Sequence, residues 1–284
     1  MLSFSVDEAT CIKCGLCAAS CPGLVSFREG EHPRLWPGIR DEMCSRCGHC
    51  VAICPTGSLK IGDVVPDLCK PIDAARSISI EQCAQHIESR RSVREFLDRG
   101  VPGELIERIV ETARYAPTAC NRQEVGWLVV DDRAAIRRLA VIGADWLRWA
   151  AKNMQEIAEM SEGLLKGLEL GFDGFLLDAP ALVLTFAPKG EPWAAADCVL
   201  AAGYFDLAAK SAGLGCCWGG LFLASASTYE PMMRVLALPE GCAPYGCLML
   251  GYPRYEYRRI PQRKKPTVLR FEIDRITTDG AAEA

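Results

Sequence analysis

A chain of 284 residues is long for one ordinary domain and short for three, which points to two domains or one large domain with an appendage. Half of its residues are hydrophobic and 24% charged, enough apolar material for a sizeable core and too much for a disordered or fibrous chain. The formal charge of −4 excludes general attraction to a nucleic-acid backbone, and no apolar run reaches the length of a membrane span. The segment Met1–Thr10 carries Asp7 and Glu8 and lacks the basic end and apolar run of a secretion signal. A reducing cytoplasm, with neither nucleic acid nor membrane as partner, is therefore the expected setting. There, sixteen cysteines call for metal or catalytic chemistry rather than disulfides.

Eight of them fall early in the chain, in two copies of C-x2-C-x2-C-x3-C-P at an offset of 33: Cys11, Cys14, Cys17, Cys21-Pro22 and Cys44, Cys47, Cys50, Cys54-Pro55. This spacing wraps three thiolates around one 4Fe-4S cubane while the fourth reaches the other cluster. One cluster is thus expected on Cys11, Cys14, Cys17 and Cys54, and the second on Cys44, Cys47, Cys50 and Cys21. Paired zinc knuckles use neither the third cysteine nor the proline. Gly15 and Gly48, each directly after a second cysteine, suit a loop that brings backbone close to sulfur. His32 and His49 read as loop residues, because the cysteines already complete both clusters. The segment resembles bacterial two-cluster ferredoxins over about residues 1–66, which implies a pseudo-twofold module of two short helices and hairpins.

Val64 to Pro71, with two prolines and no periodicity, reads as the joint to a larger domain over residues 67–284. Ser79-Ile80-Glu81-Gln82 is a capping box that opens a helix running to about Arg90. A second helix is predicted from about Pro102 to Tyr115, with Leu105, Ile106, Ile109, Val110 and Ala113 on one face and Pro117 as the stop. Strands are expected at Val125–Val130, Ala181–Ala187 and Tyr245–Leu250. Helices are expected at Asp131–Ile142, Asp145 to about Leu170, Asp197–Ala212 and Ser227–Ala237. Helices that outnumber short apolar strands give an α+β layer fold.

Two segments of this domain carry basic side chains. Arg90-Arg91-Ser92-Val93-Arg94 can fork onto a phosphate, and equally suits a solvated basic face. Arg254 to Lys265 holds six Lys/Arg against one acidic residue, Glu256, and could complete the same phosphate site. Between them, Ala116 to Gln123 puts a hydroxyl and two carboxamides on a loop after a helix, suited to the polar edge of a heterocycle. Gly213-Leu214-Gly215-Cys216-Cys217-Trp218-Gly219-Gly220 is glycine-rich without being a dinucleotide fingerprint. Its exposed backbone N–H groups at Gly219 and Gly220 suit the close approach of a flat ring.

In this order, Arg90–Phe96, Ala-Pro-Thr-x-x-Asn-Arg-Gln, Gly-Leu-Gly-x-Cys-Trp and Leu250-Gly251-Tyr252-Pro253 resemble the nitroreductase family of FMN enzymes over roughly residues 75–270. The whole chain resembles ferredoxin–nitroreductase fusions. The resemblance implies an FMN-binding α+β sandwich that forms an intertwined homodimer with a flavin at each of two interfaces. Carried over by motif, Arg90, Arg91, Ser92 and Arg94 hold the phosphate and ribityl chain. Pro117, Thr118, Ala119 and Asn121 form the loop that reaches the flavin from the partner subunit. Gly219 and Gly220 lie against its N5 and O4 edge, and Arg263 or Lys264 returns to the phosphate. Two departures stand out: Gly220 replaces an acidic residue common in the family, and Glu124 replaces a usual proline.

Iron–sulfur clusters pass single electrons, whereas a flavin collects two and releases them as hydride. The fusion is therefore expected to carry electrons from a low-potential donor such as ferredoxin, through two clusters, to FMN and on to a small electrophilic molecule such as a nitroaromatic or quinone. No side chain is expected to act as nucleophile, so none is assigned a catalytic role. Two alternatives keep parts of this scheme: an NAD(P)H-driven reductase with accessory clusters, and a non-catalytic electron carrier serving a partner enzyme. Cys69, Cys83, Cys120, Cys198, Cys216, Cys217, Cys242 and Cys247 are expected to pack as small buried hydrophobes, with Cys120 and Cys216 placed near the flavin by the resemblance. Trp218 is expected in the core rather than stacked on a ring.

Overall fold

The structure is a computed structural model and describes residues 3–271. The cysteine-rich segment forms two small antiparallel pairs. Strand β1 (Phe4–Val6) pairs with β4 (Leu59–Ile61), and β2 (Val25–Ser26) with β3 (Arg34–Leu35). Helices α1 (Leu16–Ser20) and α2 (His49–Ala52) pack between them around Cys17, Val25, Cys50, Val51, Leu59 and Ile61. The two motif copies share one backbone. Gly15 and Gly48 both have φ of 73°, and Lys13 and Arg46, one offset apart, have φ of 55° and 50°. A side chain at Gly15 would strike the Phe27 ring at 2.7 Å, so this turn needs glycine for both reasons.

The linker carries an exposed 3-10 turn at Pro66–Leu68. Beyond it, the Ser79 cap on α3 (Ile80–Glu88) is made as the sequence predicts, with Gln82 closing the box. Helix α4 (Gly103–Ala113) turns Ile106, Ile109 and Ala113 inward. Strands β5 (Gly126–Val130), β6 (Ala181–Pro188), β7 (Gly215–Trp218) and β8 (Cys242–Gly251) form one antiparallel sheet in the order β5-β6-β8-β7. The alternation of β6 sorts its side chains between two layers. Leu182 and Leu184 face α5 (Arg133–Asn153), α8 (Gly220–Thr228) and α9 (Glu230–Leu236). Ala181 and Val183 face α4 and α7 (Ala194–Ser211). Helix α6 (Ala158–Glu169) flanks α5. Among the described residues, no helix is long and apolar enough to cross a membrane.

Three expectations need correction. The helix predicted to break near Gly143 continues as the single 21-residue α5, because Gly143 is where the Phe175 ring packs against the helix. The break falls instead at Met154–Ile157. The glycine-rich segment is a strand, β7, running into a helix, α8, and Tyr229 separates α8 from α9 where one helix was expected. Its apolar residues belong to the sheet interior, a tertiary fact that local composition does not carry.

Trp146 on α5 is fully buried and donates from Nε1 to Thr228 Oγ1 at 3.2 Å, tying α5 to the end of α8. Trp146→Ala is expected to destabilise the larger domain by about 3–5 kcal/mol, a drop in the urea midpoint readily measured by tryptophan-independent circular dichroism.

Candidate functional site

The thiols of the cysteine-rich module gather in two sets. Cys11, Cys14, Cys17 and Cys54 line one cavity together with Gly15, Pro33 and Thr56. In the other set, burial pushes the Cys50 thiol up to about 11, and Cys21, Cys44 and Cys47 around it act in the same direction. Burial likewise raises Cys17, with Cys54 and Cys14 as its thiol neighbours. Each set thus draws its fourth member from the opposite motif copy. Cys54 accepts from Ser58 N at 3.4 Å and lies 3.7 Å from Thr56 Oγ1, a polar environment that lowers its pKa although burial opposes it. Such donors are what a thiolate ligand needs. His49 is exposed and His32 sits 4.0 Å from Glu8, both outside the thiol sets.

The arginines of the basic segment after α3 go to different places. Ser92 bridges Cys216, Val93 N donates to Cys216 O at 2.9 Å, and Phe96 bridges Pro253, so residues 92–96 are pinned at two points, to β7 and to the residues just after β8. Arg90 turns to α7, where it pairs with Asp206 at 3.3 Å. Burial raises the Asp206 carboxyl and the Arg90 guanidinium pulls it back. Arg90 and Arg91 line a cavity with Lys210, Gly215 and Arg254. Arg94 points to a different cavity, which it shares with Cys217, Trp218, Gly219 and Gly220 and which Leu164 and Phe172 wall from the α6 side. Burial pushes the Cys217 thiol up, and Arg94 beside it counters this.

The floor of that second cavity is the first turn of α8. Gly219 is its cap, but, contrary to expectation, its own N–H is not exposed: it is buried and donates to Cys247 O at 2.9 Å, which leaves Gly220 and the rest of the first turn, uncapped by any side chain, with N–H groups that lack intrahelical acceptors. A side chain on Gly219 would meet Cys247 Sγ at 2.9 Å, whereas one on Gly220 would touch nothing but the Trp218 ring, at 3.6 Å. A guanidinium and uncapped N–H groups over an apolar wall suit a flat, electron-accepting ring with carbonyl edges. Trp218 is 43% exposed at this cavity, not in the core as expected.

The other predicted residues lie apart. Pro117 is exposed after α4, and Thr118 Oγ1 accepts from Gln123 N at 3.0 Å. Ala119 N donates to both Asp197 oxygens, at 3.1 and 3.2 Å. Asn121 Nδ2 donates to Ser45 O at 3.0 Å and Arg46 O at 3.1 Å, in the cysteine-rich module. None of these four lines the Arg94 cavity of its own chain. Arg263 and Lys264 lie in an exposed segment without regular secondary structure. Among the remaining cysteines, Cys198, Cys216, Cys217 and Cys247 are buried as expected, but Cys69 and Cys120 are exposed. Sequence reasoning missed Asp197 and Asp206. Their signal was present, two carboxylates interrupting an otherwise alanine-rich helix.

Residues 87–252 match the model of the nitroreductase family, and residues 10–58 that of a 4Fe-4S dicluster domain. The chain belongs to the nitroreductase family. Outside the family model, this nitroreductase is 26% identical over 171 residues to a putative NADH dehydrogenase/NAD(P)H nitroreductase of Methanothermobacter thermautotrophicus, covering 59% of this chain and 75% of the relative. It is 31% identical over 189 residues to the iodotyrosine deiodinase of Haliscomenobacter hydrossis, covering 60% and 78%. Its fold is shared with an FMN-bound nitroreductase of Bacteroides fragilis at a TM-score of 0.54, with 24% identity and coverage of 66% of this chain and 97% of that one.

Proposed function

We propose that residues 1–66 are a two-cluster electron module and residues 67–284 an FMN domain, and that the protein passes electrons from a low-potential donor such as ferredoxin through the clusters to FMN. The final acceptor is a small electrophilic molecule of the nitroaromatic or quinone class. The observation that carries the reading is the junction itself. The loop of one thiol set is hydrogen-bonded to Asn121, a residue of the loop that the family resemblance assigns to the flavin.

FMN supplies the conversion of single electrons into hydride. The chain's own residues do the rest. Arg94 offers its cation to the flavin, and the uncapped first turn of α8, from Gly220 onward, offers N–H groups to the ring's polar edge, where added negative charge is stabilised. Arg91 and Ser92 serve the phosphate with Arg263 or Lys264, while Arg90 holds the segment in place through Asp206. Phe172 and Leu164 give the cavity an apolar wall. Pro117, Thr118, Ala119 and Asn121 close over the flavin of a second subunit. A homodimer is supported by the open apolar side chains Val199, Leu200 and Tyr204 on α7 and by Val268, Leu269 and Phe271 on the irregular segment after residue 254.

Anaerobic reduction separates this from the NAD(P)H-driven scheme suggested by the names of the relatives. A low-potential one-electron donor is expected to bleach clusters and flavin together, while NADPH or NADH alone leaves the flavin oxidised. Rapid bleaching by either nicotinamide would overturn the assignment of the donor.

A further inference from the structure

The two halves of the cysteine-rich module are equivalent by sequence, and nothing within the module says which cluster receives electrons and which passes them on. The larger domain breaks that equivalence. Among the described residues and outside the linker itself, two hydrogen bonds join the module to it, and both start from the Asn121 carboxamide. They end on the carbonyls of Ser45 and Arg46, the two residues between Cys44 and Cys47. The counterparts in the first copy, Ile12 and Lys13, make no hydrogen bond to the larger domain among the described residues, and Ile12 is 63% exposed.

The Asn121 side of the contact is held rigidly. Ala119 N is fixed by Asp197, Arg122 pairs with Glu191, and Thr118 Oγ1 closes the turn at Gln123. Cys120, Asn121 and Gln123 all have φ between 51° and 55°, a left-handed backbone that non-glycine residues adopt only where the surroundings enforce it. The amide spends both of its N–H donors on the module and keeps Oδ1 for other partners.

We propose that Asn121 is the positioning residue that registers the electron module on the flavin domain, so that the cluster of Cys21, Cys44, Cys47 and Cys50 is the exit to FMN. The cluster of Cys11, Cys14, Cys17 and Cys54 is then the port at which an external low-potential one-electron donor docks, around the bare Ile12. This rests on the electron path proposed above. Over one cycle the donor is oxidised twice, and each electron crosses from the port cluster to the exit cluster. FMN takes up both electrons, with protons from water.

Asn121→Ala and Asn121→Asp test the assignment, the second because its carboxylate cannot donate to the two carbonyls and repels them. Iron and flavin contents are measured first. Stopped-flow mixing with a reduced low-potential donor then follows cluster and flavin absorbance separately, and amide hydrogen exchange follows residues 44–48. The expected result is cluster reduction at the wild-type rate, flavin reduction slowed about tenfold or more by lost registration, with Asp slower than Ala, and faster exchange over 44–48 but not over 11–17. Flavin reduction at the wild-type rate in both variants overturns the proposal. Should a variant lose its flavin, exchange decides: faster over 44–48 supports the joint, unchanged overturns it. A wild-type flavin that stays oxidised while both clusters reduce is a distinct outcome, which defeats the electron path itself.

Discussion

Replacing Cys21 with serine is expected to remove the cluster whose other three ligands lie in the second motif copy, at Cys44, Cys47 and Cys50, and to leave the cluster of its own copy intact. Iron content should fall from about eight to about four per chain. The decisive comparison is spectroscopic. The EPR signal left in C21S should match the one left in C47S and differ from that in C14S, because Cys21 belongs with the Cys50 set and Cys54 with the Cys17 set. A residual C21S signal that matches C14S would mean that each copy ligates its own cluster. The effect is large because a 4Fe-4S cubane has four thiolate corners and a serine is a poor substitute at any of them.

Arg94→Ala is expected to weaken FMN binding by about 10- to 100-fold, as the loss of one hydrogen bond to a charged group, about 1.5–3 kcal/mol, implies. Flavin released on gel filtration, with iron unchanged, measures it. The contrast with Arg90 is informative. Arg90→Ala leaves Asp206 half-buried and without its cation, so the variant should lose thermal stability more than flavin affinity. Equal flavin loss in the two variants would mean that the cavity shared by Arg94 and Gly220 is not the flavin's.

Much of this was legible before any fold was known. The duplicated cysteine motif states its chemistry directly, since ligand spacing in a tight loop is a local property. The Ser79 cap and the inward face of α4 are local as well, decided by one turn of helix and by a 3.6-residue period. Less legible were the continuity of α5 through Gly143 and the strand β7. Gly143 survives mid-helix because the Phe175 ring occupies the space a side chain would take, a partner 32 residues away (175 − 143). Gly215–Trp218 reads as a loop by composition and is a strand because β8 offers it a hydrogen-bonding edge.

The arginines mark the same boundary. Three of them within five residues look like one cation cluster, yet Arg90 is drawn to Asp206 on α7 and Arg94 lines a different cavity. By itself the sequence determined the chemistry of the protein: two iron–sulfur sites, a nitroreductase-like domain, and the order of its motifs. Those properties reside in residue types at short spacings. Only the tertiary structure decided which arginine faces the α8 turn, which aspartates hold α7 to its neighbouring loops, and which of two equivalent cysteine loops meets Asn121. These depend on contacts between residues tens of positions apart, formed when the sheet and the linker bring distant segments together, and no local pattern encodes them.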